Sequence, residues 1–189
     1  MSAVPGFDPG LWNAWWFLAY YMAPALLLPL HPEIAKKMGS GEPSGARERA
    51  LTVVATGSLA AALAYSIGCP LQQGTWWFYI GVPLAVGGLV LLTAAIVTAA
   101  RTPVGCPFTT GPYRYSRHPM VVGGSIGLVG AGIAAASWLL LLLVVVAQGA
   151  YLLYLDAEEH HCLATFGDAY RTYRERTPKY LGVPRRAAP

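Results

Sequence analysis

The sequence predicts an all-α integral membrane protein with about five transmembrane helices, the last two forming a helical hairpin, followed by a cytoplasmic amphipathic helix. Only 12% of the 189 residues are charged, 55% are hydrophobic, and the mean hydropathy is +0.45. No Asp, Glu, Lys or Arg occurs between Arg49 and Arg101, or between Arg117 and Asp156. Soluble domains carry about 25% charged residues, so this chain could not cover a water-facing surface. The composition therefore excludes a soluble enzyme, a disordered chain and a disulfide scaffold, and nothing in it indicates nucleic-acid binding.

Three N-terminal spans are predicted within residues 1–100. The first covers residues 11–30 and opens with tryptophans typical of a membrane interface. The second covers residues 51–69, and the third runs from the Trp76-Trp77 pair to about residue 100. The whole chain, residues 1–189, is predicted to form a single membrane domain.

A helical hairpin is predicted for the apolar residues 120–155. As one helix they would be about 54 Å long, too long for a hydrocarbon core of about 30 Å. We therefore expect the chain to fold back near residues 136–138. Gly123, Gly127 and Ala131 recur at four-residue spacing, a pattern that allows membrane helices to approach closely.

The basic residues support five passes. All 13 Lys and Arg lie in the loop before the second span, in the loop at residues 101–119, or after Tyr170. With five passes all of them fall on one side, which the positive-inside rule identifies as cytoplasmic. Four passes would place the tail on the opposite side. The sequence thus predicts a multi-pass protein with a cytoplasmic C-terminus.

The C-terminal tail has an amphipathic period. Leu163, Phe166, Tyr170 and Tyr173 follow at steps of three, four and three, and Gly167 is positioned to end one helix before the next. Two interpretations remain open. The helix could lie on the membrane surface with its arginines facing headgroups, or it could pack near the loop at residues 101–119.

Two polar segments stand out from the apolar background, residues 111–119 and residues 156–159. Because a hairpin begins and ends at one interface, we expect them to lie on the same side. The neighbouring Glu158 and Glu159 are costly at a membrane boundary unless they are hydrated or paired. Either ordinary hydration, with Arg117 reaching toward headgroups, or a functional site accounts for them.

The order of these features resembles the isoprenylcysteine carboxyl methyltransferase family and its relatives among the membrane phospholipid methyltransferases. The resemblance covers residues 101–181 and rests on Arg117-His118-Pro119, the apolar hairpin, Glu158-Glu159, and a tail with Phe166-Gly167, Tyr170, Tyr173, Arg176 and Pro178. It implies a membrane methyltransferase that uses S-adenosylmethionine, with residues 101–189 as the cofactor-binding core. The buried hairpin and the membrane setting favour a lipophilic acceptor that enters laterally between helices.

Site residues follow from the same resemblance. It places Gly111, Tyr113, Arg117, His118 and Pro119 on one wall of the cofactor pocket, with Glu158 and Glu159 on the other. It places Arg176 and Arg174 beside the acceptor as catalytic residues, and Glu159 is a further catalytic candidate, as the base for an acceptor that must lose a proton. Val121 departs from the family, which often has an aromatic residue there.

The identity of the acceptor stays open. A prenylcysteine-type carboxylate is already ionised and needs only an arginine to hold it, whereas a lipid amine or a small thiol must lose a proton to a nearby Glu or His. Two other functions also stay open: an NADPH-dependent membrane reductase related to the sterol reductases, and a non-enzymatic membrane scaffold. No metal site is predicted, and the oligomeric state is not determined by the sequence.

Overall fold

The computed structural model describes residues 8–27, 45–103 and 105–184, and all the regular elements in this part of the chain are helices, with no strand among them. It contains five α-helices and one 3-10 helix. In chain order they are α1 (Trp15–Leu27), α2 (Ala46–Ser66), α3 (Trp76–Arg101), the 3-10 helix (Gly111–Arg114), α4 (Pro119–Ala134) and α5 (Trp138–Arg176).

Two of the described helices, α3 and α5, are long and apolar enough to cross a membrane. Helix α4 is apolar but has only 16 residues, and α2 begins with charged residues and is rich in small and hydroxyl side chains. Part of the predicted first span and Lys36 and Lys37 lie outside the described residues. The all-helical prediction is therefore confirmed for the described part, whereas the count of five spans stays a prediction.

The predicted hairpin is confirmed. Helix α4 ends at Ala134 and α5 begins at Trp138, so the chain reverses at residues 135–137. Ala136 has a positive φ of 50°, and the Ser137 hydroxyl accepts a hydrogen bond from the backbone N–H of Leu140 at 3.3 Å, which caps the start of α5. This reversal returns α5 to the end of the bundle where α4 began.

The hairpin tip contacts the N-terminal segment and the α2–α3 turn. The backbone N–H of Gln72 donates to the carbonyl of Ala134 at 2.9 Å, and that of Ala14 donates to the carbonyl of Cys69 at 2.9 Å. The buried Asn13 amide donates to the carbonyl of Ile67 at 2.6 Å. These contacts gather the N-terminal segment, the α2–α3 turn and the hairpin tip at one end, so the 3-10 helix and the start of α4 lie at the other.

Glycines allow α3 and α4 to pack backbone against backbone. A Cβ atom added at Gly88 would lie 2.5 Å from the carbonyl oxygen of Gly123, and one added at Gly123 would lie 2.7 Å from the backbone nitrogen of Leu92. The predicted close approach of the small-residue stripe is therefore confirmed, and its partner is α3. This packing fixes the start of α4 relative to the end of α3.

Alanine at Gly88 is expected to lower the free energy of unfolding in detergent by about 3 kcal/mol or more, because the two backbones would have to separate. Gly87 is the matched control. It is exposed, and an added Cβ there would meet nothing within 4 Å. Gly87→Ala is expected to leave stability unchanged or to raise it by up to about 1 kcal/mol. Equal effects of the two substitutions in denaturant titrations would contradict this packing.

The C-terminal part of α5 packs on protein. Gly167, with φ of 54° and ψ of −128°, interrupts the helix where the sequence predicts an end. Beyond it, Tyr170 and Tyr173 are buried against Ala95 and Ala99 of α3 and against the 3-10 helix. The interpretation of this stripe as a face lying on the membrane surface is wrong, because small residues of α3 leave room for the two tyrosine rings.

Candidate functional site

His118 is held at the N-terminus of α4. It occupies the N-cap position of α4, and Pro119 follows at the first helical position. Proline is favourable there because an N–H at that position would have no acceptor within the helix. The backbone N–H of His118 donates to the Ser116 hydroxyl at 3.1 Å, and Ser116, His118 and Pro119 are all buried. The turn thus fixes the direction in which the imidazole points.

Glu159 of α5 joins the two polar segments. Its Oε1 atom forms an ion pair with Nη2 of Arg117 at 2.9 Å and a hydrogen bond with Nε2 of His118 at 3.1 Å, and its Oε2 atom accepts from Nη2 of Arg117 at 3.3 Å. The Arg117 and Glu159 side chains are 12% and 10% exposed, so this is a largely buried cluster. The structure therefore brings together three of the predicted site residues, at the end of the bundle opposite the hairpin tip.

Arg117 also holds the chain that follows α5. Its Nη1 atom donates to the carbonyl of Arg174 at 2.9 Å and to the carbonyl of Thr177 at 3.3 Å. Its backbone N–H donates to the carbonyl of Pro178 at 2.9 Å. These bonds satisfy carbonyls at the C-terminus of α5. Both terminal nitrogens of Arg117 are therefore already engaged within the protein.

Tyr173 contributes a contact that sequence reasoning missed. Its hydroxyl donates to the carbonyl of Tyr113 at 2.8 Å and lies 3.4 Å from the carbonyl of Ser116. Burial raises the pKa of both tyrosines above the usual range, so each hydroxyl stays protonated at neutral pH. In the sequence Tyr173 belongs to the apolar stripe and to the tail motif, and neither signal identifies the partner of its hydroxyl. Tyr173 thus connects the tail to the loop that carries the Arg-His-Pro triplet.

Phenylalanine at Tyr173 is expected to lower the free energy of unfolding by about 1–3 kcal/mol, because the buried Tyr113 carbonyl loses its donor. Chemical denaturation of the solubilised protein measures the change. Tyr115→Phe is the control, since Tyr115 is 52% exposed and should tolerate the loss of its hydroxyl. A Tyr173 variant as stable as the Tyr115 variant would show that this hydrogen bond contributes little.

The adjacent glutamates differ in environment. Burial is the largest influence on Glu158 and, together with the charge of Glu159, raises its pKa despite the opposing effect of His118. Burial also raises the pKa of Glu159, but the His118 hydrogen bond and the Arg117 charge outweigh it, so the pKa lies below its usual range. Oε2 of Glu158 is buried and has no hydrogen-bond partner among the described residues. One carboxylate is thus fully engaged, and the other retains a free oxygen.

The remaining predicted residues lie around this cluster. Arg174 and Arg176 are exposed and, with Arg117 and the segment through Lys179, line a cavity of about 280 Å³. Gly111 is exposed with φ of 57°, and an added Cβ would lie 2.7 Å from Oγ1 of Thr98. The positive φ of Gly111 accounts for a glycine at this position. Among the described contacts, none connects Gly111 with Glu159. His160 and His161 are exposed, and of the two only His161 acts on this region, through its electrostatic effect on Glu158.

Comparison with known families gives a match to phospholipid methyltransferase over residues 77–169, just under half of the chain. The matched range contains nearly all of α3, the 3-10 helix, α4 and both glutamates, and it ends before Tyr170. The resemblance read from the sequence began at residue 101, so the match extends it to α3. No curated protein matches the chain.

Proposed function

Through residues 77–169 the chain belongs to the phospholipid methyltransferase family, and on that premise we propose that it is an integral-membrane, S-adenosylmethionine-dependent methyltransferase that acts on a lipophilic acceptor. The observation that carries the proposal is the meeting of Arg117, His118 and Glu159, all within the matched range. His118 and Glu159, 41 positions apart in sequence, meet at the end of the bundle opposite the hairpin tip. Buried ionisable residues are costly and are commonly retained for function, so this cluster is a candidate functional site.

The chemistry of the donor set suits the proposed cofactor. S-adenosylmethionine would supply a methyl group on a cationic sulfonium. Glu158 offers a buried carboxylate oxygen with no partner, which suits a positive group, and Tyr113 offers a buried ring. His118 and Pro119 would border the same space from the start of α4. Arg117 contributes by holding Glu159 and the tail, because its terminal nitrogens are already bonded.

Transfer of a methyl group from a sulfonium is an in-line displacement, so the alignment of acceptor and methyl carbon provides much of the acceleration. We assign Arg174 and Arg176, which line the neighbouring cavity, to an anionic group of the acceptor. The acceptor would enter from the bilayer, its apolar part remaining between helices. We place this site on the cytoplasmic side, because with five predicted passes all basic residues lie on the side of the C-terminal tail.

The test is a transfer assay on detergent-solubilised protein with tritiated S-adenosylmethionine and a panel of lipid amines, prenylcysteines and thiols. We expect saturable cofactor binding and label in the organic phase with at least one class of acceptor. Binding of NADPH without binding of S-adenosylmethionine would favour the membrane reductase. Binding of neither ligand would favour the scaffold, and either result would overturn the proposal.

A further inference from the structure

The tryptophans of the chain all lie at the end of the bundle that holds the hairpin tip, called here the tryptophan end. They come from three separate stretches of sequence and are Trp12, Trp15, Trp16, Trp76, Trp77 and Trp138. The first three lie before or in the first turn of α1, the next two begin α3, and the last begins α5. The backbone N–H of Leu71 donates to the carbonyl of Trp12 at 3.1 Å, which joins the α1 stretch to the turn before α3. The fold thus gathers into one layer a residue type that the sequence scatters.

Three of these rings present an unused hydrogen-bond donor at the surface. Trp12, Trp76 and Trp138 are each more than half exposed, and no described residue accepts a hydrogen bond from their indole N–H groups. By contrast, the indole N–H of Trp16, which is also exposed, donates to the Leu11 carbonyl at 2.6 Å. An apolar ring with a free N–H suits the boundary of a bilayer, where hydrocarbon meets the ester and phosphate oxygens of the lipids.

The tryptophan end has no cation that would attract an acidic partner. The stretches that form it contain no Lys or Arg and are residues 8–16, 67–77 and 134–138. Asp8 is the one charged residue in these stretches, whereas Arg101, Arg174 and Arg176 are exposed at the other end of the bundle. Anionic lipids bind clusters of basic residues, so the tryptophan end fits neutral or zwitterionic headgroups instead. The choline or ethanolamine cation of such a headgroup is also attracted to the face of an indole ring.

The packing of α3 against α4 fixes how far the candidate site lies from this end. The antiparallel register is set by the pairs Gly81–Ala134, Gly88–Gly127 and Leu92–Gly123. His118 lies five positions before Gly123, and it is therefore level with Val97 of α3. Trp76 and Val97 are 21 positions apart on α3, which is about 32 Å of helix at about 1.5 Å per residue. At the average tilt of about 20° this length crosses about 30 Å, the thickness of a hydrocarbon core.

We propose that the tryptophan end is a lipid-docking surface, which lies in the headgroup and ester-carbonyl layer of one leaflet and binds neutral or zwitterionic headgroups. The inference rests on the membrane location that is part of the proposed function. With the indoles anchored in that layer, the closely packed α3 and α4 hold His118 and its partner Glu159 at the hydrocarbon boundary of the opposite leaflet. A lipophilic acceptor can then react at this boundary while its apolar part stays in the bilayer.

Intrinsic fluorescence tests the docking surface without any label, because every tryptophan lies at this end. The chain is reconstituted in phosphatidylcholine vesicles that carry bromine near the ester carbonyls, at mid-chain or near the chain ends. We expect the strongest quenching from bromine near the ester carbonyls and the weakest from bromine near the chain ends. Addition of phosphatidylglycerol should leave this order unchanged, because the surface has no cation to recruit an anionic lipid.

Two single substitutions test whether the exposed indoles are the ones that meet lipid. Trp138→Phe removes an exposed ring and should lower the fraction of the emission that brominated lipid quenches. Trp15→Phe is the control, because Trp15 is half-buried and its indole N–H donates to the Gly10 carbonyl at 3.1 Å. This variant should keep the quenched fraction of the parent or exceed it. Thermal unfolding shows whether each variant is folded, and the reverse order of the two folded variants would contradict the assignment.

A second measurement tests the depth of the candidate site. Val97 and Val90 are both exposed on α3, and Val97 is level with His118 whereas Val90 lies about 10 Å further into the bilayer. Val97→Cys and Val90→Cys are each labelled with bimane in a chain in which Cys106 and Cys162 are replaced by alanine, Cys69 being buried. We expect bromine near the ester carbonyls to quench the Val97 probe most and bromine deeper in the chains to quench the Val90 probe most. Equal depths for the two probes would overturn the placement of the site.

The other outcomes are equally decisive. Strongest quenching of the tryptophans from the chain ends would place them inside the bilayer, and quenching by aqueous iodide but not by lipid would place them in water. Protection from both quenchers would mean that protein, such as a second copy of the chain, covers this end. Each of these results overturns the lipid-docking surface. None of them involves turnover, so methyl transfer without lipid quenching would leave the proposed function standing, and lipid quenching without methyl transfer would leave the docking surface standing.

Discussion

Alanine in place of Arg117 is expected to lower the free energy of unfolding by about 3–5 kcal/mol, because the substitution leaves the buried Glu159 carboxylate without its cation. The same change removes the donor to the carbonyls of Arg174 and Thr177. Trypsin should therefore cut more rapidly after Lys179 in the folded variant. Denaturant titration and timed proteolysis of the solubilised protein measure the two effects.

An exposed ion pair of the same length provides the control. Arg171 lies 2.9 Å from Asp168, but the two side chains are 59% and 89% exposed. Surface pairs of this kind contribute little to stability, so Arg171→Ala should resemble the parent. If Arg117→Ala were no less stable than Arg171→Ala, the buried cluster would not be what holds the tail on the bundle.

Removal of either partner in the His118–Glu159 pair is expected to weaken S-adenosylmethionine binding by about 10- to 100-fold, the range for a lost hydrogen bond to a charged group. His118→Ala removes the ring that borders the proposed pocket. Glu159→Gln removes the charge that orients it, while keeping the shape of the side chain. Equilibrium binding of labelled cofactor gives the dissociation constants.

His160→Ala is the matched control for these variants, because His160 is adjacent to Glu159 on α5 and exposed. It should bind the cofactor like the parent. Thermal unfolding of each variant identifies any loss of binding caused by unfolding. Parent-like binding by folded His118→Ala and folded Glu159→Gln would place the cofactor elsewhere in the molecule.

The sequence predicted the features that depend on length and period. An apolar run too long for one span required a reversal, and the structure has it at residues 135–137. Gly167 interrupts α5 where the periodic pattern indicated an end. The reversal also accounts for the meeting of His118 and Glu159, since a hairpin returns to its starting side. Each of these conclusions follows from geometry that hydrophobic patterning constrains directly.

Features that depend on side-chain direction were beyond the sequence. Periodicity placed Tyr173 on an apolar stripe, but it could not show that its hydroxyl reaches the Tyr113 carbonyl, 60 positions away. The family resemblance placed Arg117 in the cofactor pocket, whereas the guanidinium is bonded to Glu159 and the tail. The opposite pKa shifts of Glu158 and Glu159 arise from their different partners and burial in the folded protein. Two identical neighbouring residues in a sequence give no sign of this difference.

The number of spans illustrates another limit. The positive-inside rule depends on the number of Lys and Arg residues in each loop, whereas the ability of a helix to span a membrane depends on its length and hydropathy. Helix α2, with charges in its first turn and many small residues, does not qualify as a span, although the loop charges favour one there. The two kinds of argument therefore disagree on this helix. Site-directed labelling of residues before and after α2 in intact membranes addresses the disagreement.

The glycine contacts between α3 and α4 have a mechanical consequence. Side chains act as the compressible layer between most helices, and here that layer is missing, since Gly88 and Gly123 bring main chains into direct contact. Rotation or translation of one helix against the other would bring backbone atoms into collision. The two helices therefore form a rigid unit, and His118 lies at its edge, at the N-terminus of α4. Any widening of the bundle that admits a bulky hydrocarbon chain must then be borne by α1, α2 and α5, whose interfaces retain larger side chains able to change rotamer.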